Sequence, residues 1–166
     1  MTHFIVTALL WFSALGCGLI AGLYFAFSTF IMTALGRLDQ AQGIAAMNAI
    51  NIEIMRSMFM PLFLGTTLTS AALAVLAFMR WNEPGAIAML LGGLTYVIGM
   101  TVVTMVCNVP LNNALAAVDA SSSEGASLWA RYLKDWTLWN HVRTVTSTAA
   151  CAFFILAIAA HTPASL

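Results

Sequence analysis

Charged residues divide the chain into four long apolar runs. The runs that contain no Asp, Glu, Lys or Arg are 1–36, 57–79, 84–118 and 144–166. Each is long enough to cross the hydrocarbon core of a bilayer, which takes about 20 helical residues. Polar and apolar residues do not alternate within the runs, so helices are favoured over the strands of a membrane barrel. The predicted spans lie at about 4–34, 57–80, 85–107 and 141–160.

The composition supports the same interpretation. Only 7% of the 166 residues are charged, 61% are hydrophobic, and the formal net charge is zero. The mean hydropathy is +0.93, a value typical of integral membrane proteins. A neutral chain offers no basic surface for nucleic acid. We therefore predict an all-α protein, a single integral membrane domain over 1–166 in which four transmembrane helices form a bundle.

The three connections between the spans differ in length. The middle one, 80–85, contains Pro84 and Gly85 and predicts a tight turn. The long connectors, 37–56 and 119–143, show apolar residues at helical spacing and are predicted to form amphipathic helices between spans 1 and 2 and between spans 3 and 4. The first of these helices is expected to enter the second span without a break until near Pro61.

The charges also predict the orientation of the protein. All charged residues except Arg80 and Glu83 lie in the two long connectors, which share one side of the membrane if all four spans cross. Positive residues favour the cytoplasmic side, so these connectors are predicted to be cytoplasmic.

Small residues recur on one face of the first span. Ala14, Gly18 and Gly22 are four positions apart, which allows a second helix to approach closely. This face either packs inside the bundle or forms the interface of a homodimer.

Polar side chains gather at the end of the spans that carries the long connectors. The second span is preceded by Asn51, Glu53 and Arg56, the third ends in Asn108 and Asn112, and the fourth begins with Asn140, His141 and Arg143. Trp136, Asn140 and Arg143 are spaced i, i+4 and i+7, so they share one face of a helix.

Taken singly, these residues have ordinary structural explanations: an Asn can cap or repair a helix near Pro110, and an Arg can extend to lipid headgroups. Together, amides and a cation from three helices at one depth predict a shared binding site. Asn and Arg donate hydrogen bonds without losing a proton, which suits them to hold an oxyanion. His141 is the candidate base at neutral pH, and Glu53 is the alternative.

Ligand spacings for a metal are lacking in the sequence. The histidines are His3, His141 and His161, and no HxH, HxxE or CxxC motif occurs. Neither a P-loop nor a Gly-rich dinucleotide motif is found either. We therefore predict no metal, and either no cofactor or one that leaves no motif in the sequence.

Three features resemble the anthrone oxygenase-like family of small membrane proteins. They are Asn51 in the first long connector, the segment NVPLN at 108–112, and the pattern WxxxNxxR that runs from Trp136 through Asn140 to Arg143. The resemblance covers nearly the whole chain. It implies oxidation of an anthrone to an anthraquinone by molecular oxygen, without a recognised cofactor.

The resemblance also implies roles for the polar residues. Asn140 and Arg143 would act in catalysis with His141 as the base, while six residues would bind a lipophilic aromatic substrate: Asn51, Glu53, Arg56, Asn108, Asn112 and Trp136. The expected partners are this substrate, O2 and membrane lipid. The alternative is a non-enzymatic carrier or ligand-binding protein that uses the same Asn and Arg donors. A third interpretation is that these residues serve only to assemble the bundle.

Overall fold

The computed structural model describes residues 2–161, and these form five helices. α1 comprises Thr2–Ala26, the π-helical segment Phe27–Ile31 and Met32–Leu35, which follow one another without a break. The other helices are α2 at Gln40–Arg56, α3 at Phe59–Met79, α4 at Ala86–Ala117 and α5 at Ser123–His161. The prediction of an all-α protein is confirmed.

Helices α1, α3, α4 and α5 are each long and apolar enough to span a membrane. They form a bundle in which α1 packs against α3 and α5, and α4 packs against the same two helices. Their outward faces carry exposed apolar residues such as Leu19, Leu68 and Val145, as expected where a helix meets lipid. The four-helix membrane bundle is thus also confirmed.

Helix α5 is longer than its predicted span. It runs for 39 residues, so the amphipathic connector and the fourth span are one helix. At 1.5 Å per residue its length is about 58 Å, roughly twice the ~30 Å thickness of the hydrocarbon core. Its N-terminal half packs with α2 and with the ends of α1 and α4, where Ile44, Leu115, Trp129 and Tyr132 form a second hydrophobic core.

The connector before the second span is broken where it was predicted to be continuous. α2 ends at Arg56, and Ser57 adopts an extended backbone with φ −87° and ψ 173°. The Ser57 hydroxyl donates to the Ile54 carbonyl at 2.9 Å and accepts from the Phe59 N–H at 3.1 Å, which satisfies both helix ends. Pro61 lies in the first turn of α3, where its missing N–H costs little. The helix therefore stops at Ser57, and the prediction that it continues to Pro61 is wrong.

The small-residue face of α1 is divided between the bundle and the surface. Ala14 is buried in the core, Gly18 faces the Cys151 sulfur of α5, and Gly22 has open space around it. The homodimer interface stays a prediction.

Gly93 fixes the closest approach of α3 and α4, and its substitution should separate them. A Cβ at Gly93 would lie 2.5 Å from the Ser70 carbonyl oxygen and 2.7 Å from the Ala74 Cβ. Because backbone cannot move aside cheaply, we expect Gly93→Ala to lower the free energy of unfolding by about 1–3 kcal/mol, despite the higher helix propensity of Ala. Gly22→Ala is the matched control, since no atom lies within 4 Å of its Cβ. Unfolding of both variants in detergent micelles measures the difference, and equal stabilities would contradict this packing.

Candidate functional site

A cavity of about 360 Å³ lies at the end of the bundle that carries the long connectors. All five helices contribute to its wall, which is mostly apolar. The polar residues on the wall are Tyr24, Asn51, Thr104, Asn112 and Arg143. A largely apolar cavity with a few polar groups is the usual form of a small-molecule site.

The cavity opens sideways. Met55 of α2, Leu64 of α3 and Met105 of α4 all line it, and all three are exposed on the outside of the bundle. Leu64 and Met105 belong to membrane-spanning helices, so this opening faces the bilayer. A lipophilic molecule would be able to enter from the lipid.

The Arg143 guanidinium is buried beside the cavity, and no acidic residue among the described ones pairs with it. The residue is only 3% exposed, and its Nη2 donates to Asn140 Oδ1 at 2.8 Å. Its Cζ lies 4.1 Å from the centre of the Tyr24 ring and 4.9 Å from that of Trp136. Within residues 2–161, the only ion pairs are Glu53–Arg56 and Glu83–Arg80. The Nε of Arg143 is also buried without a hydrogen-bond partner among these residues.

Burying a charge costs several kcal/mol unless it is paired and hydrogen-bonded. Contact with the faces of two aromatic rings recovers part of that cost through cation–π attraction. The guanidinium keeps its positive charge, so the cavity wall is suited to a ligand with an anionic oxygen.

Asn140 holds the guanidinium in place from behind. Its Nδ2 donates to the Tyr24 carbonyl and to the Ser28 hydroxyl, each at 2.8 Å, while its Oδ1 accepts from Arg143. Asn140 is fully buried and does not line the cavity. It therefore links α5 to α1 and orients Arg143, which makes it a positioning residue in this geometry.

Asn108 and Asn112 orient Trp136. Asn108 Nδ2 donates to the Trp136 carbonyl at 3.2 Å, and Asn112 Oδ1 accepts from the Trp136 indole N–H at 2.9 Å and from the Tyr132 hydroxyl at 2.7 Å. The Asn108 side chain makes no capping bond to the α-helical part of α4 that follows it, Val109–Ala117. Both amides thus serve the neighbouring helix, and Trp136 presents its ring to the cavity.

π-helical turns occur in α1 and α4, next to residues of the site. Phe27–Ile31 lies just after Tyr24 in α1, and Val97–Val102 and Thr104–Asn108 precede Asn112 in α4. Such wider turns are often found at functional sites, because they change the direction of side chains along an otherwise regular helix.

The structure places the predicted site residues in three groups. Asn51, Asn112, Trp136 and Arg143 line the cavity; Asn108 and Asn140 lie behind its wall; His141, Glu53 and Arg56 lie outside it. Asn51 Nδ2 is buried and makes no hydrogen bond to another described residue, although the Tyr132 hydroxyl is near.

The three outer residues are turned away from the cavity by helix geometry. His141 follows Asn140 by one position, a rotation of about 100°, and is exposed. Glu53 and Arg56 pair with each other at 3.7 Å, with 74% and 73% of their side chains exposed. The structure does not bring these three to the site.

Tyr24 was not predicted from the sequence. It lies within the first charge-free run, among apolar residues and far along the chain from the other polar groups. The polar residues nearest to it along the chain are Ser28 and Thr29, and the structure shows Ser28 as one of the partners of Asn140.

No cluster of three or more His, Cys, Asp or Glu side chains able to hold a metal ion occurs in the part of the chain that the structure describes.

Sequence comparison with protein families matches residues 55–153, more than half of the chain, to the model of anthrone oxygenase. The chain belongs to the anthrone oxygenase family. Comparisons with curated proteins and with solved structures found no match.

The region matched to the anthrone oxygenase family contains most of the site. Asn108, Asn112, Trp136, Asn140 and Arg143 all lie within 55–153. Tyr24 and Asn51, which complete the wall of the cavity from α1 and α2, lie outside that region.

Replacing Asn140 should destabilise the protein, whereas replacing its neighbour should not. Asn140→Ala removes its buried hydrogen bonds to Tyr24 and Arg143, so we expect a loss of about 2–4 kcal/mol in the free energy of unfolding. His141→Ala removes an exposed side chain and should change it by less than about 0.5 kcal/mol. Unfolding in micelles gives both values, and a stable Asn140→Ala would show that these hydrogen bonds contribute little.

Proposed function

We propose that the protein is a membrane oxygenase that oxidises a lipophilic, anthrone-like phenolic compound with O2. The observation that carries the proposal is the buried Arg143 guanidinium, which has no acidic partner among the described residues and faces an apolar cavity open to the bilayer. Membership of the anthrone oxygenase family supports the same chemistry.

The volume and the lining of the cavity suit an aromatic substrate. Its volume of about 360 Å³ lies within the range of small-molecule sites. The Trp136 ring and the apolar side chains of α2 and α3, such as Ile50 and Phe63, offer surfaces for an aromatic molecule. A polycyclic substrate dissolves in lipid and would reach the cavity through its lateral mouth.

Arg143 would act by stabilising negative charge on the substrate oxygen. In an anthrone, a CH2 group and a carbonyl group each link the same two aromatic rings. When this CH2 loses a proton to water, the negative charge lies largely on the carbonyl oxygen. A guanidinium already in place in a site of low dielectric favours this anion strongly. The electron-rich anion then reduces O2, which becomes bonded to the former CH2 carbon.

The complete reaction balances without another reductant. The CH2 group and O2 give a C=O group and one water molecule: one oxygen atom enters the product, and the other leaves as water with both hydrogens. As proposed, the substrate itself supplies all four electrons, so no cofactor takes part.

The location follows from the same proposal. The four membrane-spanning helices place the protein in a membrane, and we propose the bacterial inner membrane with the cytoplasmic side at the cavity end. The positive charges of the connectors at that end, including Arg37, Arg131 and Lys134, support this orientation.

Arg143→Met should abolish turnover without destabilising the protein. Met has a similar volume and removes a buried charge, so we expect equal or higher stability, while anthrone oxidation falls by at least about 100-fold because the oxyanion loses its partner. Purified protein in liposomes is given anthrone and ¹⁸O2, and mass spectrometry follows the incorporation of one labelled atom into the quinone. Empty liposomes correct for spontaneous oxidation.

Arg56→Ala is the control, because Arg56 is exposed and outside the cavity. Full activity of Arg143→Met would remove the assignment of the site. Wild-type protein that binds anthrone but does not oxidise it would favour the alternative, a carrier or binding protein that uses the same cavity. If Arg143→Met unfolds and the wild type binds nothing, the polar residues serve assembly alone.

A further inference from the structure

We infer that Tyr24 is a catalytic residue that gives a proton to the peroxide formed on the substrate and then removes the remaining C–H proton. The inference rests on the function proposed above. It concerns a residue outside the region matched to the family, and a step that Arg143 cannot perform.

Tyr24 is placed to touch both the substrate and the guanidinium. It is one of the residues that line the cavity, and only 4% of it is exposed. The Arg143 Cζ lies 4.1 Å from the centre of its ring. Its backbone is fixed by the bond from Asn140 to its carbonyl, and its ring packs edge-on against Phe59 with 6.1 Å between centres. The hydroxyl itself makes no hydrogen bond within the described residues, so it is free to serve a ligand.

The other polar groups on the wall are less able to exchange a proton. The Thr104 hydroxyl donates to the Met100 carbonyl at 2.7 Å, and Asn112 Oδ1 already accepts two hydrogen bonds. Asn51 is an amide and does not titrate. Among the described residues that line the cavity, none is a carboxylate or an imidazole. Tyr24 is therefore the acid available beside the guanidinium.

The chemistry needs such a group after oxygen has been added. The carbon anion transfers an electron to O2, and the resulting radical pair joins to give a peroxide anion on the carbon that still bears one hydrogen. The Tyr24 phenol protonates this anion, which gives a hydroperoxide and a phenolate.

The phenolate then removes the remaining C–H proton. The electron pair of that bond forms the C=O group, the O–O bond breaks, and hydroxide leaves. Tyr24 regains its proton, and the hydroxide combines with the proton lost in the first step to form water.

Arg143 makes the brief existence of the phenolate feasible. An anion of Tyr24 forms directly beneath a cation that has no other acidic partner among the described residues. The two charges neutralise each other within a site of low dielectric, where attraction between opposite charges is strong. The same cation thus stabilises, in turn, the substrate oxyanion and the tyrosine anion.

Tyr24→Phe tests this role, because it keeps the ring under Arg143 and removes only the hydroxyl. Two reactions are followed in liposomes: exchange of the anthrone CH2 hydrogens for deuterium without oxygen, and quinone formation with oxygen. We expect exchange within about threefold of the wild type, since it depends on Arg143, and quinone formation at least about 100-fold slower, since general acid–base catalysis contributes that much. Hydroperoxide should accumulate or be released.

Tyr96→Phe is the matched control. Tyr96 is fully buried and does not line the cavity, and its hydroxyl lies near Thr66 and Thr67. Both variants should bind 10,10-dimethylanthrone, which lacks the reactive hydrogens, as tightly as the wild type does, which shows that the cavity is intact.

The possible outcomes separate the two proposals. If the wild type neither exchanges deuterium nor forms quinone, the proposed function fails, and the role of Tyr24 with it. If the wild type forms quinone and Tyr24→Phe matches Tyr96→Phe, the role of Tyr24 alone is overturned. If Tyr24→Phe loses both deuterium exchange and quinone formation while its binding is intact, the role of Tyr24 is also overturned, because Tyr24 would then act before oxygen enters.

Discussion

The site depends on one buried positive charge. Arg143 lies within a membrane-spanning helix, almost inaccessible to solvent, and no carboxylate of the described residues pairs with it. The cost of burying this charge is partly offset by the amide oxygen of Asn140 and by the ring faces of Tyr24 and Trp136. These contacts hold the cation without neutralising it, so the free energy of the empty site is higher than that of a site holding an anion. An arrangement of this kind is costly for stability and favours binding of an anionic ligand.

The fold supports the charge through polar links between helices. Asn140 joins α5 to α1, and Asn108 and Asn112 join α4 to α5. Asn140 accepts a hydrogen bond from the Arg143 guanidinium, and Asn108 and Asn112 bond to the carbonyl and the indole N–H of Trp136. These bonds fix the orientation of Arg143 and Trp136. The second hydrophobic core, formed where α2 covers the bundle end, surrounds this region with apolar side chains. The electrostatic interactions of the guanidinium are therefore stronger than they would be at a surface.

The sequence predicted the bundle, and it placed several residues of the candidate site together, for clear physical reasons. Four charge-free runs leave few alternatives to spanning helices, and the i, i+4, i+7 spacing places Trp136, Asn140 and Arg143 on one face. The same rule does not show which face meets the bundle, so exposed His141 was given a role beside Asn140. The break at Ser57 depends on two side-chain hydrogen bonds, which periodicity does not reveal. The position of Tyr24 beside Arg143 depends on the packing of α1 against α5, which the sequence pattern does not reveal.

The cavity also sets a condition on the substrate under the proposed function. Its described wall offers a cation, amides and hydroxyls, but no carboxylate or imidazole that would remove a proton from an ordinary C–H bond. Ionisation of the substrate then depends mainly on stabilising the anion that forms when its C–H proton leaves. This suffices only for compounds whose C–H bond is already acidic. A CH2 group conjugated with a carbonyl through aromatic rings meets that condition, whereas an isolated methylene of a lipid chain does not. Selectivity against the surrounding lipid would thus follow from acidity as well as from shape.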